Sequence, residues 1–400
     1  MKRLCSNVMK IVYSREDVPN EIDKSMFLAG PTPRDYTKNK SWRLEAIEIL
    51  KSLNYNGVVY IPEERDGDFP IERLNEQIDW EYTAMSTCDA IVFWIPRELR
   101  EDFENIALTT NVEFGRFLDS NKLFVGSPKD APKNTYLQYI SKDKYEWHDD
   151  LQSLLKDCVE YLSDGVYREG VETKIPKHIF DSSQFQKWYI PQKERGNYLT
   201  DFNIEYEFVM PKAKQLFMTI FKPSVYVKES AFGEKEDRIK DNEFVVARTD
   251  MSYICAYQKA DNIMDSKIVL CEEFRTPVVN RHEMVFELVG GSSFKETDDN
   301  LTVACHEFEE ETGLAIEANR FSQVTCKQSA ATLCSHQIML YRVELTEDEM
   351  QHFIADKQVH GVEEDTERIH VHVMTVQEAL QYVDWTNAGM ILSALYDLEE

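Results

Sequence analysis

From Ser25 to about Leu162, short apolar strands alternate with helical patterns, and this alternation constrains the fold more than any other feature of the sequence. The strand candidates are 25–30, 57–62, 89–95 and 122–126, and the helical patterns are 42–53, 71–87, 111–119 and 151–162. Strands separated by helices favour a parallel sheet that is covered on both faces. The sequence therefore predicts an α/β domain in which ligands bind beyond the carboxyl ends of the strands.

The pattern changes after this region. Residues 164–205 are polar and aromatic with scattered prolines, which indicates a connector that either links the domains or packs on one of them. The remainder is richer in strands, with candidates at 216–221, 224–228, 244–248, 252–258, 267–274, 284–288 and 337–345, and with helical patterns at 376–382 and 387–399. We therefore predict domains over 24–163 and 206–400, joined by the connector.

Charge narrows the range of partners. The chain has 45 basic and 72 acidic residues and a formal net charge of −27, so its surface repels nucleic-acid backbones. The negative net charge does not exclude small phosphorylated substrates, because a bound divalent cation reverses the local electrostatic field. We expect no membrane span, since no run approaches about 20 apolar residues. Without a secretory leader pattern or paired cysteines, we expect a cytoplasmic protein.

The acidic helix predicted within 290–314 carries the sharpest signal of the second domain. Glu307, Glu310 and Glu311 stand at i, i+3 and i+4, so their three carboxylates share one face, although like charges at this spacing repel. Hard divalent cations take carboxylate oxygens as ligands. A solvated acidic face is the alternative interpretation of the run.

This segment resembles the Nudix box, G-x5-E-x7-R-E-U-x-E-E-x-G-U, with matches at Glu307, Phe308, Glu310, Glu311, Gly313 and Leu314. It departs from the box at His306, which stands in place of Arg, and at Asp298, which stands in place of the first Glu. The resemblance implies an α/β/α sandwich with a mixed sheet. It also implies Mg²⁺ or Mn²⁺ on the three glutamates of the helix.

The flanking segments resemble those of ADP-ribose pyrophosphatases. That resemblance makes Arg275 and Glu287 substrate contacts, and Glu367, with Asp365 and Glu364 as neighbours, the group that orients or deprotonates the attacking water. It implies cleavage of ADP-ribose or a related nucleoside diphosphate sugar into a nucleoside monophosphate and a sugar phosphate. It also implies a homodimer formed through this domain.

The first domain has carboxylates of its own. Asp79 and Glu81 precede the third predicted strand, and Glu113 is predicted to open a helix whose dipole stabilises its anion. Enzymes that break a glycosidic bond usually use two carboxyl groups, one as the nucleophile and one as the proton donor. Simple complementation of the helix dipole is the alternative for Glu113.

This region resembles the nucleoside 2-deoxyribosyltransferase family, especially its divergent branch, through FLAGP (27–31), SWR (41–43), Trp80-Glu81, Asp89 with IVFWIPR, and TNVEFG (110–115). The resemblance implies a Rossmann-like parallel sheet with flanking helices. It makes Glu113 the nucleophile on C1′ and Glu81, or Asp79, its acidic partner. We assign Phe27, Gly30, Trp80 and Asn111 to substrate binding on the same basis. Phe27 stands where many members have Tyr, and the family's additional Asp before the nucleophile has no counterpart here, with Leu108 and Thr109 nearby instead. Both departures favour hydrolysis or binding over base exchange.

The sequence thus predicts a bifunctional enzyme of nucleotide metabolism with small-molecule substrates. Its first domain acts on an N-glycosidic bond of a nucleoside, nucleotide or NAD-like molecule, and its second on a pyrophosphate. The alternative is a nucleotide sensor in which one or both domains have lost turnover. The departures from the two motifs motivate that alternative.

Overall fold

The computed structural model divides the chain into two compact units, Met1–Glu243 and Phe244–Glu400. The residues that the structure describes are 8–33, 40–65, 71–100, 103–105, 107–210, 215–229, 236–279, 284–292, 299–361 and 367–399. Among these residues, no helix is both long enough and apolar enough to span a bilayer.

Strands and helices alternate through most of the first unit, as predicted. Its strands are β1 (Lys10–Tyr13), β2 (Glu21–Ile22), β3 (Ser25–Ala29), β4 (Val58–Ile61), β5 (Ala90–Trp94), β6 (Glu98–Arg100), β7 (Phe103–Asn105), β8 (Leu123–Gly126), β9 (Trp147–His148), β10 (Arg168–Glu169), β11 (Tyr198–Met210), β12 (Gln215–Val227) and β13 (Arg238–Lys240). Its helices are α1 (Trp42–Ser52), α2 (Leu74–Thr87), α3 (Leu108–Phe117), α4 (Thr135–Ser141), α5 (Leu151–Leu162), α6 (Lys177–Phe180) and α7 (Ser183–Glu194).

The main sheet of this unit is parallel throughout, in the order β1-β4-β3-β5-β8-β9. Every residue of β3, β4 and β5 is buried, which explains why these strands read as unbroken apolar runs. One face packs against α2, α3 and α4, and the other against α1 and α5. The parallel sheet with flanking helices is therefore confirmed, and the edge strands β1 and β9 add to it.

The segment predicted as a connector is folded onto the first unit. The strand β10 pairs with β2, and α6 and α7 follow it. The strands β11 and β12 then pair antiparallel along their length, and β12 runs through Pro223, where the sequence predicted two strands, 216–221 and 224–228. Because the boundary between the units follows Glu243, residues 206–243 lie in the first unit rather than at the start of the second.

The second unit contains a mixed sheet, as predicted. Its strands are β14 (Val245–Arg248), β15 (Met251–Gln258), β16 (Lys267–Glu273), β17 (Val285–Glu287), β18 (Val289–Gly291), β19 (Ser322–Gln328), β20 (Gln337–Glu344) and β21 (His370–Thr375), and its helices are α8 (Asn300–Thr312), α9 (Glu347–Ala355), α10 (Val376–Ala379) and α11 (Trp385–Leu395). The sheet has the order β17-β16-β15-β20-β19, with β18 beside β15 and β21 beside β16. The pair β15–β20 is parallel and the others are antiparallel. Helices α8 and α9 cover one face, and α10 and α11 cover the other.

Candidate active sites

A buried arginine shapes the loop that follows β3. Arg43, which is 1% exposed, donates from Nε to the Leu28 carbonyl oxygen at 2.9 Å and from Nη2 to the Gly30 carbonyl oxygen at 2.8 Å. Its charge is balanced by Glu63, 2.5 Å away, which also accepts from Ser41 Oγ at 2.6 Å. The SWR segment therefore caps α1 with Ser41 and fixes this loop with Arg43.

Gly30 is required where the ends of β3 and β5 come together. Its φ of +144° lies in a region that side chains rarely adopt. A Cβ there would overlap the Trp94 carbonyl oxygen and lie 3.2 Å from the Trp42 ring. Gly30 has no side chain, so it can contact a substrate only through its backbone atoms. Its carbonyl oxygen already accepts a hydrogen bond from Arg43.

Glu81 on α2 and Glu113 on α3 interact at this edge of the sheet. Burial raises the pKa of Glu81, against the effect of its 2.7 Å hydrogen bond from Gln77. Burial and the charge of Glu81 together raise the pKa of Glu113 to about 7. Arg43 lowers both pKa values, so the two carboxyl groups share its positive field. The structure thus brings together two of the predicted catalytic carboxylates.

The predicted role of the helix dipole at Glu113 is wrong. Helix α3 begins at Leu108 rather than at residue 111, which places Glu113 in the second turn. The dipole acts within the first turn and would lower the pKa, whereas burial and Glu81 raise it.

Asp79 is separated from this pair. It is exposed on α2, and a spacing of two residues along a helix turns its side chain away from that of Glu81. Asp79 therefore does not take the position of the acidic partner that the sequence left open between it and Glu81.

Phe27 and Trp80 pack against each other at the border of the core. Their ring centroids are 6.2 Å apart, and Trp80 also meets Tyr60 edge-on at 6.2 Å. Trp80 Nε1 donates to the Glu16 carbonyl oxygen at 3.0 Å. These contacts give both residues a packing role, and their predicted contact with substrate stays a prediction.

Asn111 is held by a residue that sequence reasoning did not single out. Arg97, just after β5, donates from Nη2 to Asn111 Oδ1 and from Nη1 to the Lys133 carbonyl oxygen, the latter at 2.7 Å. The signal available in the sequence was a charged residue directly after a buried strand, at the edge where such sheets bind ligands.

In the second unit, Glu311 of α8 contacts the first residue of the glycine pair Gly290–Gly291. It is 8% exposed and accepts from the Gly290 backbone N–H at 3.0 Å and from Cys271 Sγ at 3.6 Å. Burial and the charge of Glu307 raise its pKa well above the ordinary value, while the Gly290 hydrogen bond opposes this rise.

Glu307 lies against the other glycine of the pair. A Cβ at Gly291 would come within 2.6 Å of a Glu307 carboxylate oxygen, so only glycine admits this approach. Burial, Glu310 and Glu367 raise the pKa of Glu307 to about 7. The predicted metal ligands and the predicted water-orienting residue therefore act on one another electrostatically. Asp298, Glu364 and Asp365 lie outside the described residues.

Arg275 and Glu287, the predicted substrate contacts, bind each other. Arg275 Nη2 lies 2.8 Å from Glu287 Oε1 and 3.0 Å from Glu273 Oε2. Burial opposes the charge of Arg275, but the two carboxylates more than compensate and raise its pKa. Glu273 is a third acidic residue here that the sequence did not indicate.

The three glutamates of α8 do not form a tight set of ligands. In the described part of the chain, the group whose ligand atoms all lie within 4.8 Å of one another consists of Glu146, His148 and Asp157, in the first unit. The donor chemistry on α8 nevertheless fits a hard divalent cation, because several carboxylates raise one another's pKa there.

Comparison with known proteins bears on the first unit. Residues 23–131 match the family model described as nucleoside 2-deoxyribosyltransferase like, and the match includes Glu81, Asn111 and Glu113. No curated protein matches the sequence. The chain therefore carries an N-terminal nucleoside 2-deoxyribosyltransferase-like domain, which indicates an enzyme acting on a nucleoside-like small molecule.

Proposed function

We propose that the first unit cleaves or transfers the N-glycosidic bond of a nucleoside, nucleotide or NAD-like substrate through Glu113 and Glu81. The observation that carries this proposal is the coupling of the two carboxyl groups. Burial and the charge of Glu81 raise the pKa of Glu113 to about 7, so near neutral pH the pair still holds a proton, on Glu113, in part of the molecules. One ionised and one protonated carboxyl group is the combination that glycosidic cleavage needs.

In the proposed reaction, substrate binding moves the proton that Glu113 holds to Glu81, and the Glu113 carboxylate then attacks C1′ as the bond to the base breaks. The carboxyl group of Glu81 donates its proton to the departing base, which leaves a glycosyl ester on Glu113. Water or a second base then releases the sugar, and Glu81 accepts the proton of that incoming group. Arg43 is a positioning residue, because it fixes the loop after β3 and lowers the pKa of both carboxyl groups.

The test of this proposal is base release followed by chromatography. Wild-type protein is incubated with a panel of nucleosides, nucleotides and NAD. Glu113→Gln is expected to abolish release, whereas Asp79→Asn, an exposed carboxylate on α2, serves as the matched control and is expected to retain it. Release that survives in Glu113→Gln contradicts the assignment.

For the second unit, we propose a Nudix-type hydrolysis of the pyrophosphate in ADP-ribose or a related nucleoside diphosphate sugar. Support comes from the approach of Glu307 and Glu311 to the Gly290–Gly291 pair and from the effect of Glu367 on Glu307. Glu307, Glu310 and Glu311 would hold Mg²⁺ or Mn²⁺, which neutralises charge on the phosphoryl groups when bound. Glu367 orients or deprotonates the attacking water, and Arg275 with Glu287 contacts the substrate.

The two proposals are tested separately. With ADP-ribose and Mg²⁺ or Mn²⁺, Glu307→Gln is expected to lose product formation, while Glu309→Gln, an exposed residue of the same helix, is expected to retain it. If the first unit releases nicotinamide from NAD, the second unit would act on the resulting ADP-ribose. Cleavage of ADP-ribose without release of nicotinamide would reject this sequence of steps and leave the second activity standing.

The alternative of a nucleotide sensor is favoured by the absence of the α8 glutamates from the tight ligand group among the described residues. Tight nucleotide binding without turnover under either metal would support it. Homodimerisation through the second unit and a cytoplasmic location remain predictions.

A further inference from the structure

An imidazole and two carboxylates that the proposed reactions do not use meet at the edge strand β9. In the described part of the chain, the ligand atoms of Glu146, His148 and Asp157 all lie within 4.8 Å of one another. Residues two apart along a strand share a face, so Glu146 and His148 lie opposite Trp147, which packs in the core against Phe114 at 6.4 Å. Asp157 of α5 lies on their side. Two packed elements therefore hold the three groups together.

The separation of His148 and Asp157 is that of two ligands of one ion. His148 Nε2 lies 3.3 Å from Asp157 Oδ2. Three other histidine–carboxylate pairs among the described residues are hydrogen-bonded at 2.6 or 2.7 Å, namely His178–Glu207, His360–Asp356 and His372–Glu272. Zinc–ligand distances of about 2.0–2.2 Å put two ligand atoms of a tetrahedral ion about 3.3–3.6 Å apart. A charge-assisted hydrogen bond is shorter than the distance seen at His148.

The hydrogen bonds of Ser153 indicate which nitrogen of His148 carries the proton. The Ser153 hydroxyl group has one proton and donates it to Asp150 Oδ2 at 2.5 Å. Its oxygen lies 3.4 Å from His148 Nδ1 and can only accept there, so Nδ1 carries the proton. In the neutral imidazole Nε2 is then an acceptor, and it faces a carboxylate oxygen of Asp157 that is an acceptor too. A cation between these two atoms satisfies both.

The group is open to solvent and lacks a lysine that would neutralise Asp157. The His148 side chain is 10% exposed and that of Asp157 is 45% exposed, and Glu146 is exposed as well. Lys156, the neighbour of Asp157 in the chain, pairs with Glu160 at 3.6 Å. A cation can therefore enter from solvent without displacing Lys156, and Glu146 can turn toward it by a change of rotamer.

We propose that Glu146, His148 and Asp157 bind a divalent transition-metal ion, with Zn²⁺ as the preferred species. One imidazole nitrogen and two carboxylate oxygens suit Zn²⁺, whereas Mg²⁺ and Ca²⁺ take oxygen ligands. The proton on Nδ1, held by Ser153, leaves Nε2 for the metal, which is the usual arrangement of a ligating histidine. The ion joins β9 to α5 and stabilises the first unit, because the three ligands come together only in the folded chain.

The test is a Zn²⁺ titration of the full-length protein against a chromophoric chelator, after removal of metals with EDTA. Excess Mg²⁺ is present throughout to occupy the carboxylates of α8. Loss of a single hydrogen-bond partner of a metal-ligating histidine costs roughly 10- to 100-fold in affinity, so His148→Gln and Asp157→Asn, which remove a ligand, should weaken Zn²⁺ binding at least as much. His178→Gln removes a histidine from a hydrogen-bonded pair of the same unit and should bind Zn²⁺ as wild type does.

Thermal unfolding with and without Zn²⁺ gives a second measurement. Zn²⁺ should raise the melting temperature of wild type and of His178→Gln, but not that of His148→Gln or Asp157→Asn. The absence of saturable Zn²⁺ binding in wild type, or an equal affinity in wild type and the two ligand variants, would overturn the inference. Displacement of Zn²⁺ by Mg²⁺ at similar concentrations would also overturn it, since that result indicates oxygen ligands alone. If His148→Gln does not fold, Asp157→Asn still decides, because the Asp157 side chain is partly exposed.

Discussion

Replacing Glu113 by Gln is expected to stabilise the first unit at alkaline pH while it removes activity. The folded-state pKa of about 7 lies about 2.5 above the ordinary value of 4.5. Because the folded pKa is raised, the contribution of this group to stability is fully present below pH 4.5 and is lost as the pH rises through 7. At about 1.4 kcal/mol per pKa unit, the raised pKa of Glu113 opposes folding by about 3 kcal/mol at pH 8, where the folded protein holds the buried charge, and by about 1 kcal/mol at pH 5, where folding must protonate the group.

Urea denaturation at pH 5 to 8, followed by tryptophan fluorescence, measures this difference. Of the six tryptophans, all except Trp385 lie in the first unit, so the signal reports mainly on that unit. Glu113→Gln should exceed wild type in unfolding free energy by about 2–3 kcal/mol at pH 8, and the gain should shrink toward pH 5. Asp79→Asn is the matched control and should show no such trend. A gain that is absent, or independent of pH, would refute the coupling between burial, Glu81 and Glu113.

Three further predictions concern other parts of the molecule. Asp89→Ala leaves Arg168 buried without its partner and should reduce the unfolding free energy by about 3–5 kcal/mol in urea; a loss below about 1 kcal/mol would contradict the structural role of the pair. Gly30→Ala should cost roughly 2 kcal/mol or more, because its Cβ overlaps the Trp94 carbonyl oxygen at a positive φ; a melting temperature equal to that of wild type would contradict the close approach. Calorimetric affinity for Mn²⁺ should fall by up to roughly tenfold per pH unit below about 7, as protons compete for Glu307; an affinity independent of pH would exclude Glu307 as a ligand.

The parallel sheet could be predicted because its evidence is local. Each buried strand is an apolar run bounded by polar residues, and each helix has its own apolar face. The boundary between the units could not be predicted in this way. The sequence of β11 and β12 would show the same strand pattern in either unit. Only tertiary contacts assign this antiparallel pair to the first unit.

The candidate site was predictable in part, for the same reason. Glu81 and Glu113 stand in motifs, so their positions follow from the sequence. Their pKa values could not be predicted from the sequence, because burial and the electrostatic field of Arg43 depend on segments that are far apart in the chain. Asp89 and Arg168 are 79 residues apart in the chain, so no local sequence pattern predicts their ion pair.

The buried carboxylates of this chain fall into two kinds, and the difference between them separates structure from chemistry. Asp89 is fully buried, yet it accepts hydrogen bonds from Ser25, from both terminal nitrogens of Arg168 and from the Lys177 backbone N–H. A carboxylate satisfied in this way can hold a fold together and has little left to offer a substrate. Glu113 is instead placed beside another carboxyl group, which raises its pKa and works against stability. Folding gains nothing from that arrangement, which supports the reaction proposed above for Glu113 and Glu81, because that reaction needs the shared proton.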